Sequence, residues 1–180
     1  MTDFAQLCGE WKCVEFDSSN LENYLSQLGV AWAVRKVAKK CNQTIKLNST
    51  SDPTQGPGLH IITTTTLTTT DDIFYFNVPR QVTTKDGRKS TVVFTVKHAD
   101  KLDEADEEDQ SDQQELEAVK GKDQFSCGKC KVYLHKRERW TDSKGKPQTA
   151  KITMRLTDSG QMYARMSCNG VAVDRLHVKV

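Results

Sequence analysis

The spacing of apolar positions changes character once along the chain. Leu21, Tyr24, Leu25 and Leu28 recur at helical intervals behind Ser19 and Asn20, both good N-cap residues, and Gly29 stands where a helix ends in a left-handed residue. Val30, Val34, Val37 and Ala38 then mark one face of a second short helix, with Arg35, Lys36, Lys39 and Lys40 on its other positions. The N-terminal region therefore predicts a helix–turn–helix.

Beyond Cys41 the period falls to two. Alternation over residues 43–48 and 59–66, the second rich in β-branched threonine, predicts strands, as do the dense runs at 73–78 and 91–96. Residues 82–84, 129–140, 149–156, 161–168 and 171–180 are further strand candidates, and Asn169-Gly170 between the last two is a strong hairpin signal. Residues 50–58 carry two prolines and three glycines or aspartates in a turn-rich stretch, and read as a loop. Residues 98–124 are acidic, rich in Gln and nearly free of aromatics, and read as a disordered insertion between two strands. The expected architecture is all-β: about ten short antiparallel strands in an up-and-down barrel or a sandwich.

Composition narrows the class. At 180 residues the chain fits a single domain, 1–180, with a core of ordinary size. The longest stretch without a polar residue runs only from Val30 to Val34, so no helical membrane span is expected. The first residues show neither a basic n-region nor an apolar h-region, so a cytoplasmic setting is expected, and the six cysteines are read as reduced thiols. The net charge of +2 hides an asymmetry. Between Asp100 and Ala118 ten acids face one base, a local charge of −9, which leaves +11 on the rest of the chain.

Several residues, taken together, resemble a known family. Phe4-x4-Gly9-x-Trp11-Lys12 is similar to the opening strand of the intracellular lipid-binding proteins, the fatty-acid-binding and cellular retinoid-binding group. Tyr24-Leu25-x2-Leu28-Gly29-Val30-x-Trp32-Ala33-x-Arg35-Lys36-x-Ala38 resembles that family's helical lid almost position for position. Thr65-Thr66-Leu67 falls where the family often has a portal aromatic, and Asp86-Gly87-Arg88-Lys89 is similar at a later turn. The resemblance covers residues 4–97 and 129–179 and omits the acidic insertion. It implies a ten-stranded antiparallel up-and-down barrel closed by a helix-turn-helix lid, holding one fatty acid or retinoid, with no catalysis and no cofactor. A fatty-acid tail in water costs roughly 0.8 kcal/mol per methylene, so an enclosed apolar pocket is strongly favoured as its container.

The resemblance also implies which side chains meet a ligand carboxylate. The family places an Arg-x-Tyr pair on its last strand and an arginine two strands earlier. Arg175 matches the first position and His177 stands in place of the tyrosine; residues i and i+2 share one face of a strand. An arginine fork suits a carboxylate, and a histidine charged below about pH 6.5 would add attraction. Arg155 matches the earlier arginine by counting back from Gly170 without a gap. Yet Ile152, Met154 and Leu156 alternate with it, and apolar alternation marks an inner face, which turns Arg155 outward. Both readings stand at this point. By resemblance Val30, Val34, Val37, Ala38 and Leu67 frame a portal, and Arg35, Lys36, Lys39 and Lys40 would face anionic membranes, each worth roughly 1 kcal/mol near such a surface. The chain is expected to act as a monomer.

Other classes fit less well. Cys127-Gly128-Lys129-Cys130 is a lone CxxC, half of a zinc site, with His135 as the nearest further ligand, so no metal is expected. No EF-hand spacing occurs in the acidic run, and no nucleophile–base pattern suggests an enzyme. A basic β-barrel binding nucleic acid or an acidic protein partner is the alternative. Aromatics make up only 7% and none interleave with bases along a strand, so nucleic acid is not the expected partner.

Overall fold

The computed structural model describes residues 3–84, 87–98 and 132–180. A 3-10 turn, Asp3–Leu7, leads into β1 (Gly9–Phe16), and the helices α1 (Ser18–Gln27) and α2 (Trp32–Ala38) follow. The remaining strands are β2 (Gln43–Asp52), β3 (Gly56–Thr65), β4 (Thr69–Tyr75), β5 (Arg80–Thr83), β6 (Lys89–His98), β7 (Val132–Thr141), β8 (Pro147–Leu156), β9 (Met162–Cys168) and β10 (Val171–Lys179). The CxxC pair and nearly all of the acidic stretch lie outside the described residues.

Every ladder is antiparallel, and the hydrogen-bonded order is β4-β3-β2-β1-β10-β9-β8-β7-β6-β5. The first and last strands of the chain pair with each other, so the sheet rolls up with its two ends, β4 and β5, brought together. No ladder joins those two strands among the described residues. Arg80 of β5 spans the seam instead, with an ion pair to Asp72 at 3.1 Å and a hydrogen bond to the Ile73 carbonyl. The barrel is thus nearly closed.

Local sequence explains the joints. Asp17, rather than Ser19 or Asn20, is the N-cap of α1: its Oδ1 accepts from the backbone N–H groups of Ser19 at 3.1 Å and Asn20 at 3.2 Å. Gly29 takes the left-handed conformation that ends this helix. Asn169 and Gly170 both have positive φ, 48° and 78°, as a type I′ hairpin between β9 and β10 requires. The stretch 50–58 is not a loop. Pairing continues out to Asp52 opposite Gly56, because Asp52 Oδ1 accepts from the N–H groups of Thr54 (2.8 Å) and Gln55 (3.1 Å) and closes a tight turn. Phe4 belongs to the 3-10 turn rather than to the opening strand, and plugs the barrel end with Leu7.

Two apolar clusters result. The larger fills the barrel from its closed end, around Phe4, Leu7, Trp11, Leu47, Leu59, Phe94, Leu134 and Met162. Trp11 Nε1 donates to the Leu7 carbonyl at 2.8 Å, so its polar atom is satisfied inside the core. The smaller joins Leu21 and Tyr24 of α1 to Trp140, Ala150, Cys168 and Val173, and so fastens the lid to the barrel. Burying each such side chain contributes roughly 1.5–3 kcal/mol. α2 buries no residue at all.

Candidate ligand-binding cavity

The inner faces of β2, β3, β4 and β6 and of β7 to β10 enclose a cavity of about 190 Å³. Ile45, Leu47, Ile61, Phe74 and Phe94 form one apolar wall; Ile152, Met154, Ala164 and Met166 form the other. Into this lining project Gln43, Asp72, Lys136, Arg175 and His177.

Register fixes which side chains enter. On β10, Arg175 sits opposite Ala164 of β9, and Ala164 opposite Met154 of β8; directly opposed residues share a face, so all three point inward. Arg175 Nη1 donates to Gln43 Oε1 of β2, one strand beyond β1, while its Nε has no hydrogen-bond partner. Burial pushes its pKa below the ordinary guanidinium range, with little relief from the thiol of Cys13 and the phenol of Tyr24. Among the described residues no carboxylate pairs with Arg175, since Asp72 is engaged by Arg80 and Glu138 by Lys136 and Arg88.

His177 is fully buried two positions on. Burial pushes its pKa down to about 4, against a hydrogen bond to the Met162 carbonyl and helped by the charge of Arg175. The ring is neutral at physiological pH, so the extra attraction expected below pH 6.5 does not arise there. Its Nδ1 lies 3.3 Å from the Met162 carbonyl oxygen, which only accepts, so the proton sits on Nδ1. Nε2, without a partner, is then an acceptor and has no hydrogen to offer a carboxylate.

Arg155 stands apart from this lining. Ile152 and Met154 occupy inner positions of β8, so Arg155, the residue after Met154, falls on the opposite face of the sheet, against Tyr163 of β9, where it is fully buried. Its guanidinium lies 5.3 Å from the centre of the Tyr163 ring, and it does not line the cavity.

Sequence reasoning missed Lys136 and Glu138. β7 presents Leu134, Lys136, Glu138 and Trp140 to the inside, and two charged residues within one inward stripe mask the alternation that identifies a strand face. The Lys136 ammonium lies 2.9 Å from Glu138 Oε2, and Ser90 Oγ donates to Glu138 Oε1 at 2.9 Å. Arg88 approaches the same oxygen at 3.3 Å. Burial alone would raise the Glu138 pKa, but these partners outweigh it and hold the carboxyl below the usual range.

The portal residues lie mainly on the surface. Val34 and Val37 of α2 and Leu67 in the turn between β3 and β4 are exposed, as is Trp32 at 63%. Val30 and Ala38 are half-buried. The four bases are not equivalent: Lys36 and Lys39 pair with Glu22 at 2.9 and 2.7 Å and hold its pKa at about 2. Arg35 donates to the Val30 carbonyl at 2.6 Å, and Lys40 stays exposed.

No protein-family model matches the chain. A curated relative, a fatty acid-binding protein of Clonorchis sinensis, is 40% identical over 86 residues, which are 47% of this chain and 60% of the relative. The chain thus spans under two thirds of that relative's length. Among solved structures, apo lipid binding protein 8 of Caenorhabditis elegans superposes over 100% of this chain and 99% of its own, with a TM-score of 0.68 at 17% identity. The chain is thus similar to fatty acid-binding proteins over about half its length and shares the barrel fold of lipid-binding proteins. A Schistosoma mansoni fatty acid binding protein in complex with arachidonic acid has a TM-score of 0.65 at 17% identity, over 99% of this chain and 98% of that one. At such identity the superpositions speak for the family's barrel and lid, and the local chemistry of the cavity rests on the residues described above.

Proposed function

We propose that the chain is a non-catalytic cytosolic carrier that holds one hydrophobic carboxylic acid, of the long-chain fatty-acid kind, inside the barrel. The observation that carries the reading is Arg175: a buried cation against a largely apolar wall, hydrogen-bonded to the amide of Gln43 and paired with no carboxylate among the described residues. A charge held in such a place is costly unless an anion joins it. A ligand with an apolar tail and one carboxylate satisfies the wall and the guanidinium together.

The cavity of about 190 Å³ is below the roughly 300–1,000 Å³ common for small-molecule sites, so a long tail requires side chains to move. Met154 and Met166, unbranched and adaptable, are the wall residues suited to this. The relative of the same fold complexed with arachidonic acid supports the ligand class.

Calorimetric titration with dodecanoate and dodecanol tests the reading. Arg175→Gln is expected to weaken the acid at least about tenfold and leave the alcohol nearly unchanged, since losing a buried charge partner costs about 3–5 kcal/mol before water softens it. Equal losses for both ligands would reassign Arg175 to folding. Wild-type protein that binds neither, and carries no lipid in native mass spectra, would overturn the carrier reading.

A further inference from the structure

We propose that Lys136 is a second cation for the ligand's carboxylate, and that Glu138 is a built-in competitor which holds Lys136 until an acid arrives. The inference rests on the carrier reading above and extends it to the selectivity of the same cavity.

The geometry begins with β7. Lys136 is opposite Ile152 of β8, Ile152 opposite Met166 of β9, and Met166 opposite Val173 of β10, two positions before Arg175. Lys136 and Arg175 therefore rise from one inner surface, three strand spacings and two residues apart, roughly 16 Å along the sheet. Both side chains line the same cavity, and the curvature of the wall turns them towards a common interior. A carboxylate seated between the two heads is within reach of both.

Lys136 is free to turn because Glu138 does not depend on it alone. Glu138 faces two cations, Lys136 at 2.9 Å and Arg88 at 3.3 Å, and also accepts from Ser90 Oγ at 2.9 Å. One negative charge thus serves two positive ones. If Lys136 swings to a ligand, Glu138 keeps Arg88 and Ser90 and is not left as an unpaired buried carboxylate, the arrangement that would be prohibitive. The ammonium carries three donors on a flexible four-carbon stem, so it can change partner without moving the strand. An alcohol offers no charge to set against Glu138, so it leaves the ion pair intact. Selectivity for acid over alcohol then comes from Arg175 and from this exchange together.

The exchange also reaches the lid. Arg88 Nη1 donates to the Leu28 carbonyl, the C-cap of α1, at 2.7 Å, and its guanidinium lies 4.3 Å from the centre of the Trp140 ring. When Lys136 leaves, the whole charge of Glu138 falls on Arg88, and Trp140 is positioned to report it.

The test is calorimetry of dodecanoate and dodecanol on wild type, Lys136→Gln, Lys136→Arg, Glu138→Gln and the Lys136→Gln/Glu138→Gln double variant, with tryptophan emission followed in parallel. Lys136→Gln should weaken the acid roughly tenfold and spare the alcohol, while Lys136→Arg should retain most of the acid affinity. Glu138→Gln should tighten acid binding, and most of this gain should be lost in the double variant, because the freed Lys136 supplies it. Dodecanoate, not dodecanol, should shift the wild-type emission. If Glu138→Gln does not fold, the pair Lys136→Gln and Lys136→Arg decides alone. Acid affinity unchanged in Lys136→Gln, with wild type still preferring acid, would overturn this inference and leave the Arg175 reading standing. Wild type without preference for the acid would overturn both.

Discussion

His177 shows how burial rewrites a residue's chemistry. The imidazole titrates near pH 6.5 in an unfolded chain, whereas the folded protein holds it to about 4. Between those values the unfolded chain takes up a proton that the folded chain refuses. Acid therefore favours unfolding in that window: the stabilisation is complete above pH 6.5 and is lost as the pH falls towards 4. The difference is worth about 3 kcal/mol at most. Urea unfolding at pH 7, 6, 5 and 4 is expected to show this decline in wild type and a flatter profile in His177→Gln; superimposable profiles would contradict the assignment. Dodecanoate affinity is expected to stay level from pH 8 to about 6, because neither His177 nor Arg175 changes charge there.

At the scale of elements, the lid hangs on few interactions. α1 is ten residues long, carries no acid in its first turn, and relies on Asp17 for its free N–H groups. Asp17→Ala should cost about 1 kcal/mol, seen as a lower thermal midpoint and as faster hydrogen exchange at Ser19 and Asn20 than in the strands. Strands were legible wherever one face is apolar and the other polar, and the Asn169-Gly170 turn was legible from chemistry alone. The extension of β2 and β3 through 50–58 was hidden, since hairpin ends are written in turn residues that also spell loops. On β8 the apolar alternation and the count from Gly170 gave opposite faces for Arg155, and its side chain is not among those lining the cavity. On β7 the periodicity failed at Lys136 and Glu138, where the inner face is charged. Local rules break where a cavity requires polar groups inside, so the site is less legible than the barrel that holds it.

For the whole molecule, the question is what two opposed charge blocks do to a surface encounter. The second helix presents Trp32, Val34 and Val37 to the outside, with Lys40 just beyond its end and the Lys36 and Lys39 pairs with Glu22. Apolar side chains next to bases suit the headgroup layer of an anionic bilayer, to which each base adds roughly 1 kcal/mol. Against this, the −9 of residues 100–118 repels the same bilayer and lowers the net charge from +11 to +2. Excising residues 100–118 is therefore expected to tighten binding to vesicles containing phosphatidylserine, measured by co-sedimentation, while neutral vesicles show little change. The gain should fade as salt rises, because charges more than roughly 8 Å apart are screened at physiological ionic strength. Trp32→Ala should weaken binding at every salt concentration, since it removes apolar contact rather than charge. Equal binding by the excised and full-length chains at low salt would mean that the acidic run does not act on the lid surface at all.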